Sequence, residues 1–397
     1  MLIYFVEEQE PGKAQPLDSL IFTKNGYKRM GDIQKGDIII DGLGKETVVE
    51  DIFPQGKKPI YKITFSDRTS VKCSDEHLWK VIEYGHRIKE KVLTLNEIID
   101  NMKRNKNKKY RIPTPVIDVW EDNNLSLDPY LLGFLLGDGD LGSSKSIKVS
   151  IYEEDIKQKL EAILNKIGYK LNKIGNNSQK DYNIVEISYV NSNQYTEKTG
   201  FKQYIDNLNI NKKSIEKHIP RQYLYASVNT RIKLLQGLFD SDGWVCNNGK
   251  ARSILIYNTS SPRLSEDFAF LVRSLGGTDT VVRKKAGYKV DGIFKRCNDT
   301  YQHTIKFSTN ILPFSSKKHI EKYKEPQNKA IRRIDKIEYL GEEECQCIKV
   351  SSEDHTYITN NLTVTHNTTT ARIIASMINN GKGLPIELDC ASHNRSR

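Results

Sequence analysis

The chain has 397 residues, too many for one ordinary domain and enough for two or three. Hydrophobic residues make up 37% and charged residues 28%, which is a globular balance and excludes an extended disordered chain. The net charge of +11 favours a polyanionic partner such as nucleic acid, and the longest apolar runs fall well short of the ~20 residues that span a bilayer.

Met1 to Val6 is followed by Glu7 and Glu8, without the basic start or small-residue cleavage site of a secretory leader. A cytoplasmic protein with no membrane partner is expected. The six cysteines contain no CxxC pair, so neither a zinc site nor a disulfide framework is expected. After residue 16 the chain reads as short strands: Leu20–Thr23, Asp37–Ile40, Thr47–Ile52 and Ile60–Phe65. Turn signals at Asn25-Gly26, Gly36-Asp37 and Asp41-Gly42 separate them, which predicts an all-β module. The basic, polar stretch around 101–127 reads as a linker.

Helical signals begin at Asp128, a good cap followed by Pro129 at the first helical position. Residues 154–167 and 261–275 have helical periodicity, and 146–152 alternates like a strand. β-character returns at 337–340, 347–350 and 356–359. An α+β middle therefore sits inside a β module made from both flanks.

The middle contains an internal repeat. Leu131-Leu-Gly-Phe-Leu-Leu-Gly-Asp-Gly139 recurs as Leu235-Gln-Gly-Leu-Phe-Asp-Ser-Asp-Gly243, and Lys217-His218-Ile219 recurs as Lys318-His319-Ile320 at a similar distance from its acid. Gly133, Gly137, Gly237 and Ser241 would let two helix backbones approach closely. Asp138 and Asp242 would then meet at the bottom of the pair. Two carboxylates that close repel unless cations bridge them, and hard divalent cations suit such oxygen ligands. This pattern resembles the LAGLIDADG homing endonucleases over roughly 121–325. The resemblance implies an α+β domain with pseudo-twofold αββαββ halves, acting as a pseudo-symmetric monomer on double-stranded DNA. It assigns Mg²⁺ to Asp138 and Asp242 and places the basic active-site residue at Lys217, in Lys217-His-Ile-Pro220. For the second copy the internal repeat selects Lys318, with Lys317 as its rival. A degenerate endonuclease that no longer cuts and an RNA maturase of the same fold are the alternatives.

The flanks carry a different chemistry. In His366-Asn367-Thr368 the Asn side chain can attack its own carbonyl, a neighbouring His can supply acid or base help, and the next hydroxyl can accept an acyl group. Upstream, Cys345 to Asn360 resembles the C-terminal splicing block of inteins. Ala14 to Asp37 resembles their N-terminal block, and Ser74-Asp-Glu-His77 their Thr-x-x-His block. The resemblance implies an all-β, horseshoe-like Hint splicing domain built from 14–120 and 326–367. It gives His77 the N-terminal scissile amide and Asn367 the cyclisation, helped by His366 with His355 as a second helper. Cys347 falls at the position coupling the two cleavages, and Thr368 is the acceptor. Ala14 departs from the family, which usually begins with Cys or Ser. Either Thr368 attacks the amide directly or a substitution has trapped the precursor; a boundary at Gln15 aligns worse.

Removal of 14–367 would join the remnants 1–13 and 368–397. The joined Gly12-Lys13-Thr368-Thr369 resembles the end of a phosphate-binding loop, and Leu384 to Asn394 resembles clamp-loader ATPases of the AAA+ class. ATP would then belong to the spliced host alone. The first glycine of that loop is replaced by Glu7. The expected function is autocatalytic protein splicing combined with site-specific DNA cleavage. The alternatives are a nucleic-acid-binding LAGLIDADG protein and a clamp-loader ATPase with a passive insertion.

Overall fold

A computed structural model describes residues 13–366, apart from 84–88, 106–108, 143–145, 176–179, 188–199, 248–252, 286, 291–292, 297, 308–309 and 326–331. Among the strands that precede helix α1 (Leu95–Arg104) are, in chain order, β1 (Gln15–Pro16), β2 (Leu20–Thr23), β3 (Glu46–Phe65) and β4 (Leu78–Glu83). Next comes α2 (Pro129–Asp138), β5 (Gly139–Asp140), β6 (Lys148–Ser150), α3 (Glu154–Lys166), β7 (Tyr169–Lys173) and β8 (Asp181–Glu186). The same order recurs as α4 (Val228–Asp242), β9 (Gly243–Cys246), β10 (Ile254–Thr259), α5 (Pro262–Ser274), β11 (Gly277–Lys284) and β12 (Thr300–Phe307). Helix α6 (Lys317–Lys322) then leads to β13 (Arg332–Val350), β14 (Thr356–Thr359) and β15 (Thr363–His366).

The outer strands form one 12-stranded sheet from both ends of the chain. β13 runs antiparallel to β3, β1 pairs with β13, β2 with β14, and β15 with β4. Sequence reading divides β3 into two strands at Pro54. The structure joins them, because a register shift between Cys345 and Gln346 on β13 falls opposite that proline and absorbs its missing donor.

The stretch 101–127 is not the solvated linker its polarity suggests. It begins inside α1, whose start carries a Thr94/Glu97 capping box. It continues through a short strand, Tyr110–Ile112, and buries Ile117 and Trp120. The apolar residues spaced among its charges decide its path.

The two repeats build matching four-stranded sheets, ordered β5-β6-β8-β7 and β9-β10-β12-β11. One core gathers side chains between Leu127 and Phe314. A second gathers Phe22 to Trp120 together with Ile334 to Val364. No helix among the described residues is long and apolar enough to cross a membrane.

Candidate functional site

Two sites emerge. The first lies where the chain ends meet. β1 registers Gln15 against Gln346 and Pro16 against Cys345. Cys347 follows Gln346 on β13 and is in register with Phe53 of β3. Ala14 is fully buried against Ile60 and Cys345, and its carbonyl accepts the Ser74 N–H at 2.9 Å. Cys347 is buried, its Sγ 3.6 Å from the Ile348 carbonyl, while the nearby Tyr357 hydroxyl donates to Gln15 Oε1 at 3.0 Å.

His77 spans the gap. Its Nδ1 is 2.9 Å from the Lys13 carbonyl oxygen, which belongs to the peptide bond between Lys13 and Ala14. Its Nε2 is hydrogen-bonded to Thr365 Oγ1. With the ring neutral, Nδ1–H donates to the carbonyl and Nε2 accepts from the hydroxyl. Complete burial pushes His77 down to about 4, with His366 adding to the fall and the Lys13 carbonyl opposing it. The ring is therefore neutral at pH 7. Trp79 packs edge-on at 5.5 Å.

His366 is buried on β15, paired with Thr356 on one side and Leu78 on the other. The His355 ring lies 6.3 Å away, and its buried Nδ1 has no hydrogen-bond partner among the described residues. Asn367, Thr368, Thr369 and Gly12 lie outside the described residues. Thr365 is the His77 partner that sequence reading misses, since a lone threonine in a β-run carries no signal until the strand faces His77.

The second site is made by α2 and α4. A Cβ on Gly133 would come within 2.2 Å of the Leu234 oxygen, and one on Gly237 within 2.1 Å of the Tyr130 oxygen. At Gly137 it would meet Ser241 Oγ at 1.9 Å. These small residues let the backbones touch, so both helices deliver their last acids to one place. Burial, then the charge of Asp242, pushes Asp138 up to about 7. Burial pushes Asp242 up to about 6, with Lys217 opposing. Buried Lys217 donates to the Gly137 and Gly139 carbonyls, each at 2.8 Å, and burial lowers its pKa. It thereby sits on the exposed carbonyl end of α2.

Gly137, Lys217, Asp242 and Asn258 line one hollow, and Asn258 Oδ1 is buried with no partner among the described residues. The Asp242 carboxylate and an amide oxygen line this hollow, and Asp138 is close enough to feel the charge of Asp242; such oxygens are the kind of donors a hard divalent cation takes. Among the described residues no three His, Cys, Asp or Glu side chains converge, so further ligands would come from amide oxygen and water.

Lys318 does not repeat the role of Lys217. It is exposed and ion-paired with Glu153 at 2.6 Å, while the Lys317 N–H donates to Asp155. The Ser316 cap starts α6 there, turning Lys318 outward and His319 inward onto buried Asp240 at 3.2 Å. Lys217 instead follows a 3-10 turn in extended backbone.

Residues 229–325 match the LAGLIDADG-like domain family. That span covers the second repeat from α4 through α6. A curated replicative DNA helicase, DnaB of Mycobacterium intracellulare, is 25% identical over 386 residues, covering 90% of this chain. The chain spans 59% of that relative's length. A crystal structure of the gp41-1 intein is similar at 13% identity over 90% of this chain and 100% of that one, with a TM-score of 0.26. Mesophilic variants of the homing endonuclease I-DmoI are similar at 14% identity over 45% of this chain and 87% of theirs, with a TM-score of 0.29. The curated relative is a replicative helicase and not the clamp-loader ATPase expected as host.

Proposed function

We propose that this chain is an intein that excises residues 14–367 and joins its flanks, and that its inserted domain is a DNA endonuclease. The observation that carries the splicing reading is His77, hydrogen-bonded at once to the Lys13 carbonyl and to Thr365, two residues before Asn367. Transfer between junctions demands such proximity.

Ala14 has no nucleophile, and Cys347, buried on β13 beside the residue that faces Gln15, is the proposed substitute. Its thiol attacks the Lys13 carbonyl carbon, and the Lys13–Ala14 C–N bond breaks. The leaving Ala14 nitrogen gains a proton, for which His77 is the nearest relay, and residues 1–13 pass to Cys347 as a thioester. The Thr368 hydroxyl then displaces that thiol. Asn367 cyclises with His366 at its side, freeing the ligated flanks, whose ester rearranges to an amide. The His77 N–H on the carbonyl polarises it for the first attack.

Mass spectrometry of the expressed chain tests this directly. The expected products are 1–13 joined to 368–397 and an excised 14–367. Cys347→Ala should abolish ligation, and hydroxylamine should release residues 1–13 from wild type but not from this variant. Unchanged ligation by Cys347→Ala would return the attack to Thr368.

For the second activity, Asp138 and Asp242 would hold Mg²⁺, with Asn258 as a further oxygen donor. When bound, the ion supplies charge neutralisation and an activated water for phosphodiester hydrolysis. Lys217, fixed on the carbonyl end of α2, offers a positive charge beside both acids. Double-stranded DNA is the proposed partner, and the net charge of +11 supports it. A plasmid bearing the joined host sequence, assayed for linearisation with and without Mg²⁺, tests the reading.

A further inference from the structure

Strand β15, which carries Thr365 and His366, is aimed by a strained turn. Residues Asn360–Leu362 form a single 3-10 turn just before it, with φ of 58° at Asn361 and 51° at Leu362. Asparagine tolerates the left-handed region, but a bulky leucine persists there only when its surroundings over-determine it.

Three groups hold the turn. The Tyr27 hydroxyl accepts the Leu362 N–H at 3.1 Å. Buried Arg332, anchored on Asp67 at 2.8 Å, donates to the Asn361 carbonyl at 3.0 Å and to Thr363 Oγ1 at 2.7 Å. The third hold comes from the inserted domain: helix α5 packs on the turn, and its Phe270 lines one cleft with Tyr27 and Leu362. The Phe270 ring lies 5.9 Å from Phe22, and Phe22 lies 5.0 Å from Tyr27.

Helix α5 is itself a firm support. Buried His303 joins it to its sheet, with Nε2 2.9 Å from Ser265 Oγ and Nδ1 2.9 Å from Asp279.

We propose that Phe270 of the inserted domain is a positioning residue for splicing. It braces Tyr27 and Leu362, and through them sets β15 so that Thr365 meets His77. The inference rests on the splicing reading above. The inserted domain is therefore a working part of the splicing centre rather than a passenger.

The full chain tests this through Phe270→Ala, Phe270→Leu and Tyr27→Phe, each checked for folding by thermal melting. Splicing is followed by mass spectrometry and the His77 ring by nitrogen NMR. Phe270→Ala should slow splicing by ~10-fold or more, since a small misplacement of reacting groups costs that much, and should move the His77 Nε2 signal toward its unbonded value. Phe270→Leu should restore part of both. Tyr27→Phe should slow splicing, and its effect should not add to that of Phe270→Ala. Wild-type rates and unchanged His77 signals in both Phe270 variants would overturn the proposal. If Phe270→Ala fails to fold, Phe270→Leu decides alone. A wild-type chain that never splices, but whose His77 signals respond to Phe270→Leu, would sink the splicing reading and keep the brace.

Discussion

The two sites solve the burial of titratable groups in opposite ways. At the chain ends, burial discharges His77, and its two ring nitrogens find a carbonyl and a hydroxyl of the right kind. The neutral ring is satisfied on both sides. At the helix pair, burial pushes two carboxylates upward, and their charges oppose each other at neutral pH. Lys217 relieves them in part, yet it is committed to two carbonyls. One site has its buried ring paired on both nitrogens; the other holds repulsion that a cation can relieve.

The sharpest break of this comparison is at the chain ends. Asn367→Ala should abolish C-terminal cleavage, because alanine has no amide to cyclise. His366→Ala should slow it by roughly 10²–10⁴-fold, the usual loss for acid–base help. Mass spectrometry of both variants reads the effect, and undiminished cleavage in Asn367→Ala would mean ordinary proteolysis.

At the helix pair, Asp138→Asn combined with Asp242→Asn should remove Mg²⁺-dependent linearisation, since neutral amides do not hold a hard cation. DNA binding should persist with its salt dependence, because phosphate contacts from Lys and Arg dominate affinity. Continued cutting by the double variant, in the plasmid assay, would move the metal site elsewhere.

The smallest effect is on stability. Asp138 and Asp242 have folded pKa values above their unfolded ones, so the folded chain binds more protons between about 4 and about 7. Their contribution opposes folding in full above the folded values and is relieved as pH falls through them. Without divalent ions, the Tm of wild type relative to the double Asn variant should therefore fall as pH rises from 5 to 8. Added Mg²⁺ should recover part of the loss at pH 8 in wild type only. Calorimetry at matched ionic strength measures it, and parallel pH profiles would show that the acids are not strained.

Much of both sites is legible in the amino-acid order. The repeated small-residue helix ending in Asp-Gly identifies Asp138 and Asp242 because helical spacing places Gly133 and Gly137 on one face, and the packed structure uses that face. The turn signals and β-runs of the flanks point to a sheet for the same local reason. Local pattern fails where partners are far apart in the chain. Lys318 looks like a second Lys217 until the Ser316 cap starts a helix and turns it to solvent. The polar stretch after residue 101 looks free until Ile117 and Trp120 find a core.

The residue types for each chemistry, the repeat and the β-character of the flanks are written in local order, because turns, caps and periodicity act over a few neighbours. The meeting of Lys13, His77 and Thr365 is not, nor is the packing of helix α5 on the turn at Asn360–Leu362. These depend on segments far apart in the chain meeting in one arrangement, and that choice is made by burial of whole faces and by hydrogen bonds that exist only once the sheet has closed.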